Sequence, residues 1–399
     1  MPALAEYPTT ALDPFAPEFL RDPYPGHEEL RDLGPVVRLE RYDAWVCARY
    51  EEVRAVLADA ETYGSGAGVG LSNLHREKHW RKPSILLEND PPDHTRVRRA
   101  LTSVLTAKNI RKLRDLFESK AVELVDRVVE LGTFDAVEDF AKPFPLRVFP
   151  DAVGLVDGDR ELLIAYGRMV FDGMGPHNAV YDQVMADADR TVEWITAQCR
   201  RDALRPGGLG AQVYETVDSG ELTEDEGALV VRSFLSAGVD TTIHALASAV
   251  HCLALDPDQW RLVREDPSRA KFAFEETLRY ESPFQQFFRT TTRETTLGGV
   301  HLGPEEKLLV LPAAANRDPR HWTDPDRFDI TRRPLAHLGL GHGVHSCVGQ
   351  MIARLEGEVL LTELSRRVAE LHVAGEARWG LSNTLRGLAH LPVEVRASN

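Results

Sequence analysis

Gly341-His342-Gly343-Val344-His345-Ser346-Cys347-Val348-Gly349 is the stretch on which the reading of this chain turns. Glycines at 341 and 343 let the backbone turn tightly and approach a flat ligand closely. Cys347 stands just before a good helix pattern, Gln350 to Ala369. Unpaired N–H groups and the helix dipole at such a start favour thiolate over thiol. A thiolate is a good axial ligand for haem iron, to which it pushes electron density. His345 is placed to bond a haem propionate. The competing reading is a buried structural cysteine in a glycine-rich turn. Cys47, Cys199 and Cys252, far apart and without metal-ligand spacing, are read that way.

The rest of the chain fits a large packed core. Apolar residues make up 43% of 399 positions, too many for a disordered chain. With 62 acidic against 47 basic residues, the net charge of −15 disfavours nucleic acid and anionic membrane as partners. The start, Met1 to Asp13, lacks a basic and apolar leader, and no apolar run approaches the roughly 18 residues that span a bilayer. A cytoplasmic protein with free thiols is expected.

Short strands are expected at Val36–Leu39, Trp45–Ala48, Glu306–Leu311 and Leu391–Val395, with a turn from Gly298 to Pro304. Gly64 to Gly70 reads as a flexible loop running on to Pro92 without periodicity. Helical signals dominate after Asp93. Thr223-Glu224-Asp225-Glu226 is a capping box, and the helix it starts runs to Leu255 before Asp256-Pro257. At 1.5 Å per residue it would be about 45 Å long, crossing the whole protein. From Leu246 to Leu255 it is apolar nearly all round and should be buried. The expectation is one mainly α domain, residues 1–399, with a long central helix and small β-sheets.

The cysteine stretch resembles the haem-binding signature of the cytochrome P450 family, with Leu340 where the family usually has Phe. Glu276-Thr277-Leu278-Arg279 resembles the family's buried structural ion pair, with Asn316-Arg317-Asp318-Pro319 following. His94 and Arg98, four apart on one helix face, resemble its propionate-gripping pair, and Arg289 a third propionate ligand. Alone, His94 and Arg98 would read equally as an exposed basic face.

Ala237-Gly238-Val239-Asp240-Thr241-Thr242 resembles the family's oxygen-activating segment. Dioxygen must gain two protons before its bond breaks. The Thr241 hydroxyl can hold a proton-bearing water and the Asp240 carboxylate can relay protons from solvent. Gly238 is expected to leave room for oxygen and let the helix open. The alternative is a Thr bonded back to its own helix and an Asp in a surface ion pair. The resemblance implies haem b, O2 as co-substrate and a monooxygenase. The acid–alcohol pair argues against a gas sensor, a ligand-sequestering protein or a peroxide-using enzyme.

Ser233, Ala237 and Thr241 fall on one helix face, the outer two about 12 Å apart along the axis, which suits one substituted ring. Arg81, Ser84, Leu87, Phe171, Val231-Arg232-Ser233, Ser236 and Gln285 to Arg293 resemble a bacterial group of this family that O-demethylates para-methoxybenzoate. The resemblance implies that Arg81, Ser84 and Ser233 grip a carboxylate through charge-assisted bonds. Phe171, Met174, Ala237, Phe284 and Phe287 would then line the ring. Met174 stands where the group has Phe, and Phe284 where it has Val, so a meta substituent, a cinnamate or a phenol are the rival substrates. Arg81 as an exposed loop cation and Phe171 and Met174 as plain core are the bland alternatives.

No Gly-x-Gly-x-x-Gly follows a strand, so no flavin or nicotinamide site is expected. Electrons from NAD(P)H are expected through a separate reductase and ferredoxin, to a monomer. Arg96, Arg98, Arg99, Lys108, Arg111 and Lys112 form a basic cluster suited to an acidic partner, or a plain solvated face.

Overall fold

The computed structural model describes residues 7–156 and 158–398. Helices carry most of the structure, and eight of them build the site: α1 (Asp93–Val104), α2 (Ala107–Leu131), α3 (Pro143–Val153), α4 (Glu161–Asp172), α5 (Glu224–Ala237), α6 (Asp240–Leu255), α7 (Ala270–Tyr280) and α8 (Gln350–Arg367). A six-stranded sheet stands beside them, in the order Thr9–Thr10, Val37–Leu39, Ala44–Cys47, Lys307–Val310, Phe287–Thr291, Tyr63–Gly64. Its middle strands are buried along their length, as their valine, leucine and phenylalanine content requires.

The expected long helix is two helices. The capping box is formed: Glu226 N–H donates to Thr223 Oγ1 at 3.3 Å, and Thr223 N–H to Glu226 Oε2 at 2.9 Å. Arg96 also pairs with Glu226 and holds its carboxyl down at about 2. The helix then breaks at Gly238-Val239. There the Thr241 hydroxyl donates to the Ala237 carbonyl at 2.9 Å. The helix opens at Gly238 as expected, and a Cβ there would also lie 2.2 Å from Cζ of Phe149 on α3. The ring fills the room that a side chain would need.

Beyond the break, α6 packs against α7, α8 and the turn Ala136–Ala141. Its apolar positions are buried to Ala254, each full burial of a Val or Leu contributing about 1.5–3 kcal/mol. Leu255, expected inside, is 61% exposed at the helix end. There Asp256 caps the next helix, accepting from the N–H groups of Asp258 and Gln259.

Three further expectations shift. The helix after Cys347 stops at Arg367 because Val368–Val373 pairs as a strand with Pro392–Ala397. The stretch 298–304 holds a strand, not only a turn: Val300–Leu302 pairs with Thr295–Leu297 across Gly298 and Gly299, both at positive φ. The glycine-rich loop is pinned. Lys307 Nζ donates to the carbonyls of Ala67, Gly68 and Gly70, and the Asp90 carboxylate accepts from the N–H groups of Ser65 and Gly66.

Candidate active site

The cysteine loop is shaped by glycines that nothing can replace. Gly341 and Gly343 have φ of +71° and +70°. A Cβ on Gly343 would sit 2.3 Å from the Leu57 carbonyl, and one on Gly339 2.4 Å from that of Leu278. The loop closes on itself through Ser346 N–H to Gly343 O (3.1 Å) and Cys347 N–H to Leu340 O (2.8 Å). Burial pushes the Cys347 thiol up, while the Gly349 N–H and the charges of Arg98 and Arg354 pull it down.

Sequence-distant basic residues gather next to this loop. His94, on α1, packs its ring 4.2 Å from that of His345. Both His94 nitrogens are buried without a partner among the described residues. Arg289, on the strand Phe287–Thr291, is buried, and its guanidinium donates to the Phe288 carbonyl at 3.2 Å. Burial holds Arg289 down at about 10, and burial with the charges of Arg289, His94 and Arg98 holds His345 down at about 3. The nearest acid, Asp90, is 4.0 Å from His345 and already accepts from two backbone N–H groups. His345 Nε2 meets Ser65 Oγ at 3.2 Å, but His94 and Arg289 remain buried and short of partners, which is costly unless a ligand satisfies them. The two propionates of haem fit this set, and Cys347 fits its iron. Arg98, Arg289, His345 and Cys347 line one cavity, and the His94 ring lies against that of His345.

That cavity holds about 1780 Å³ of empty space, part of it open to solvent. Thr241, Ala237 and Gly238 form its wall beside the helix break. The Thr241 hydroxyl is bonded back to its helix, as the alternative reading had it, which leaves its oxygen lone pairs as acceptors. Asp240 is no surface acid. It is 4% exposed, with Oδ1 at 3.4 Å from His244 Nε2 and Oδ2 unpartnered. Burial pushes its carboxyl up, and His244 and Arg168 pull it down. It does not line the cavity: a Cβ on Gly167 of α4 would lie 3.9 Å from its Oδ2.

Of the expected pocket residues, Arg81, Ser84, Leu87, Phe171, Ser233, Ser236, Phe284 and Phe287 line this cavity. Phe284 stacks on Phe287 at 5.1 Å and meets Phe171 edge-on at 5.8 Å. Ring-on-ring contacts of this kind give the wall an aromatic face. Met174 is not brought to the cavity. It is buried where its carbonyl accepts from Leu71 N–H and its backbone fills the space beside Gly70.

The polar end departs from expectation in one respect. Arg81 is no exposed loop cation and no free one. Its guanidinium forks onto Glu88, at 2.8 Å and 3.1 Å, with both side chains 5% exposed or less. Glu88 also accepts from Ser84 N–H at 2.6 Å. Arg81 Nε is buried and unpartnered. Ser84 Oγ accepts from Leu86 and Leu87 N–H, leaving its proton to donate. The Ser233 and Ser236 hydroxyls instead donate to carbonyls of their own helix.

Three residues in or beside the cavity escaped the sequence reading of the site. Arg232 lines it and ties α5 to the Arg81 loop through Lys82 O (2.8 Å) and Pro83 O (3.1 Å). It was visible only as part of Val231-Arg232-Ser233. Glu88 gave no signal at all. Glu356, on α8, lines the cavity with both oxygens buried and unpartnered, so burial pushes its carboxyl well up.

Known proteins bear directly on this site. A family description for cytochrome P450 matches residues 202–368. The cytochrome P450 CYP199A2 of Rhodopseudomonas palustris is 48% identical, over 98% of this chain and 95% of its own. The 6-deoxyerythronolide B hydroxylase of Saccharopolyspora erythraea is 32% identical over 97% and 99%. Among solved structures, the cytochrome P450 CREJ in complex with (4-ethylphenyl) dihydrogen phosphate superimposes with a TM-score of 0.86 at 25% identity, covering 96% of this chain and 99% of that one. With full-length relatives and a cysteine loop, a cluster of arginines and histidines and a broken helix around one cavity, the chain belongs to the cytochrome P450 family of haem-thiolate, O2-using monooxygenases.

Proposed function

We propose that this monooxygenase O-demethylates 4-methoxybenzoate, giving 4-hydroxybenzoate and formaldehyde. One observation carries the reading. One cavity is lined by Cys347 and Thr241, by stacked phenylalanines, and by Arg81, Ser84 and Arg232. The guest's carboxylate takes donors from Arg81 and Ser84, which presents the para substituent toward the haem. Phe171, Phe284 and Phe287 hold the ring flat and exclude water. Bound haem supplies the oxidising chemistry. Methoxyarene, O2, two electrons and two protons yield a hemiacetal and water, and the hemiacetal loses formaldehyde. Asp240 passes protons inward and Thr241 accepts a bond from the water that bears them.

The test is a titration of the purified haem protein with 4-methoxybenzoate. Wild type is expected to shift from low to high spin, and Arg81→Ala to need roughly tenfold or more ligand, the loss of one charge-assisted contact. No shift with any benzoate would reject this substrate class and leave the family assignment standing.

Electrons reach the haem from NAD(P)H through a reductase and an acidic ferredoxin, and the whole chain works as one cytoplasmic, monomeric domain. Arg99, Lys108, Arg111 and Lys112 are exposed, and α2, which carries the last three, packs against α8 just after Cys347. Arg96 is committed to Glu226 and Arg98 to the cavity, so neither belongs to that face. Reversing Lys108, Arg111 and Lys112 to glutamate is expected to raise the KM for ferredoxin about tenfold and flatten its salt dependence. An unchanged KM would show that the partner docks elsewhere. Among the described residues no helix is long and apolar enough to cross a membrane.

A further inference from the structure

The polar end of the cavity has an unusual charge balance. Arg81 and Arg232 face it with two positive charges, and Glu88, behind Arg81, returns one negative charge. Lys307, whose charge also acts on Glu88, is spent on the carbonyls of Ala67, Gly68 and Gly70 and does not line the cavity. Burial and the Arg81 charge hold the His79 imidazole below its usual range, so it is neutral at pH 7. Burial pushes the Tyr166 phenol up, so it is neutral too. Lys82 is exposed to solvent. Arg98 and Arg289 belong to the opposite, propionate side, where the haem carries its own anions. Counting the two arginines that line this part of the cavity and the carboxylate paired to one of them, the balance is one positive charge.

Glu88 also fixes how Arg81 can be used. It takes one N–H from each terminal nitrogen, Lys82 O takes another from Nη1, and Glu88 itself is oriented by Ser84 N–H. What remains to Arg81 is the buried, unpartnered Nε–H and one Nη2–H. That is a two-donor edge, enough for one carboxylate. We propose that Glu88 is a positioning residue that sets the charge of the guest: it holds Arg81 so that the cavity takes a monoanionic aryl carboxylate and rejects a dianionic aryl phosphate. Glu88 does not line the cavity and acts through Arg81 alone. In a partly desolvated site a second negative charge on the guest meets the Glu88 carboxylate with little screening. This inference rests on the carboxylate reading of the site.

The experiment compares two ligands, 4-methoxybenzoate and 4-methoxyphenyl phosphate, by spin-state titration at pH 7.5, where the phosphate is mostly dianionic. Wild type is expected to bind the carboxylate at least about tenfold more tightly. Glu88→Gln keeps the size and an acceptor for Ser84 N–H but removes the charge, and is expected to erase that preference. Glu88→Asp restores the charge and is expected to bring the preference back, which a merely structural role would not predict. The reduced, carbon monoxide-bound spectrum of each variant reports whether the haem site is intact. If wild type prefers the carboxylate and Glu88→Gln keeps the same ratio, Glu88 does not set the charge, while the carboxylate reading stands. If the glutamine variant loses its haem spectrum, the aspartate variant decides: a ratio like wild type supports the role and a ratio near one overturns it. If wild type shifts with neither ligand, both readings fall.

Discussion

Cys347→Ser is expected to abolish turnover and to remove the red-shifted absorption of the reduced, carbon monoxide-bound protein. Serine matches cysteine in shape, and the loop is held by bonds that the side chain does not make: Cys347 N–H to Leu340 O and Ser346 N–H to Gly343 O. The fold should therefore survive with haem bound by its propionate cluster. What is lost is the soft, electron-releasing sulfur that a hydroxyl cannot replace. No other cysteine can take over. Cys47, Cys199 and Cys252 are buried outside the cavity, and burial pushes their thiols up, that of Cys199 to about 12. Retention of the red-shifted band in the serine variant would mean that the thiolate comes from elsewhere, and the whole account of the cavity would fail.

How much of this was written in the sequence depends on whether a feature is local. The cysteine loop was legible because its demands are conformational and sit within nine residues: Gly341 and Gly343 both take positive φ, which glycine alone adopts freely. The capping box and the Asp256-Pro257 stop were legible for the same reason. The break at Gly238-Val239 was half legible. The Thr241 hydroxyl taking the Ala237 carbonyl is a local event, but the ring of Phe149, about ninety residues upstream in sequence, is what makes glycine obligatory. Met174 looked like a pocket residue by position, and only the Gly70 backbone packed against it shows otherwise. Glu88 was invisible. Its partner Arg81 is seven residues away on a segment without periodicity, so no helical or strand spacing links them. Buried carboxylates without a local rule, Glu88 and Glu356, are the part of this site that only three dimensions reveal.

The ion pair between Glu276 and Arg279 makes the last and largest stability prediction. The two side chains are fully buried and joined by two bonds, at 2.7 Å and 2.9 Å. Arg279 also donates to the carbonyls of Asn316, Pro325 and Arg327, so one guanidinium ties α7 to two segments that precede the cysteine loop. Glu276 Oε1 accepts further bonds from Arg332 Nε and Asp329 N–H. Glu276→Ala therefore leaves a buried cation and several donors without an anion. Removing one partner of such a pair costs about 3–5 kcal/mol, because the charge that stays behind is uncompensated. Replacing both, as Glu276→Leu with Arg279→Leu, should cost clearly less than the two single changes together, since neither then strands a charge. Thermal and urea unfolding of these variants measures this directly. Turnover per haem-loaded molecule should fall little in whatever fraction stays folded, because neither residue lines the cavity. A Glu276→Ala variant within about 1 kcal/mol of wild type would place it in the range of exposed ion pairs. The pair would then not be what anchors α7 beneath the cysteine loop.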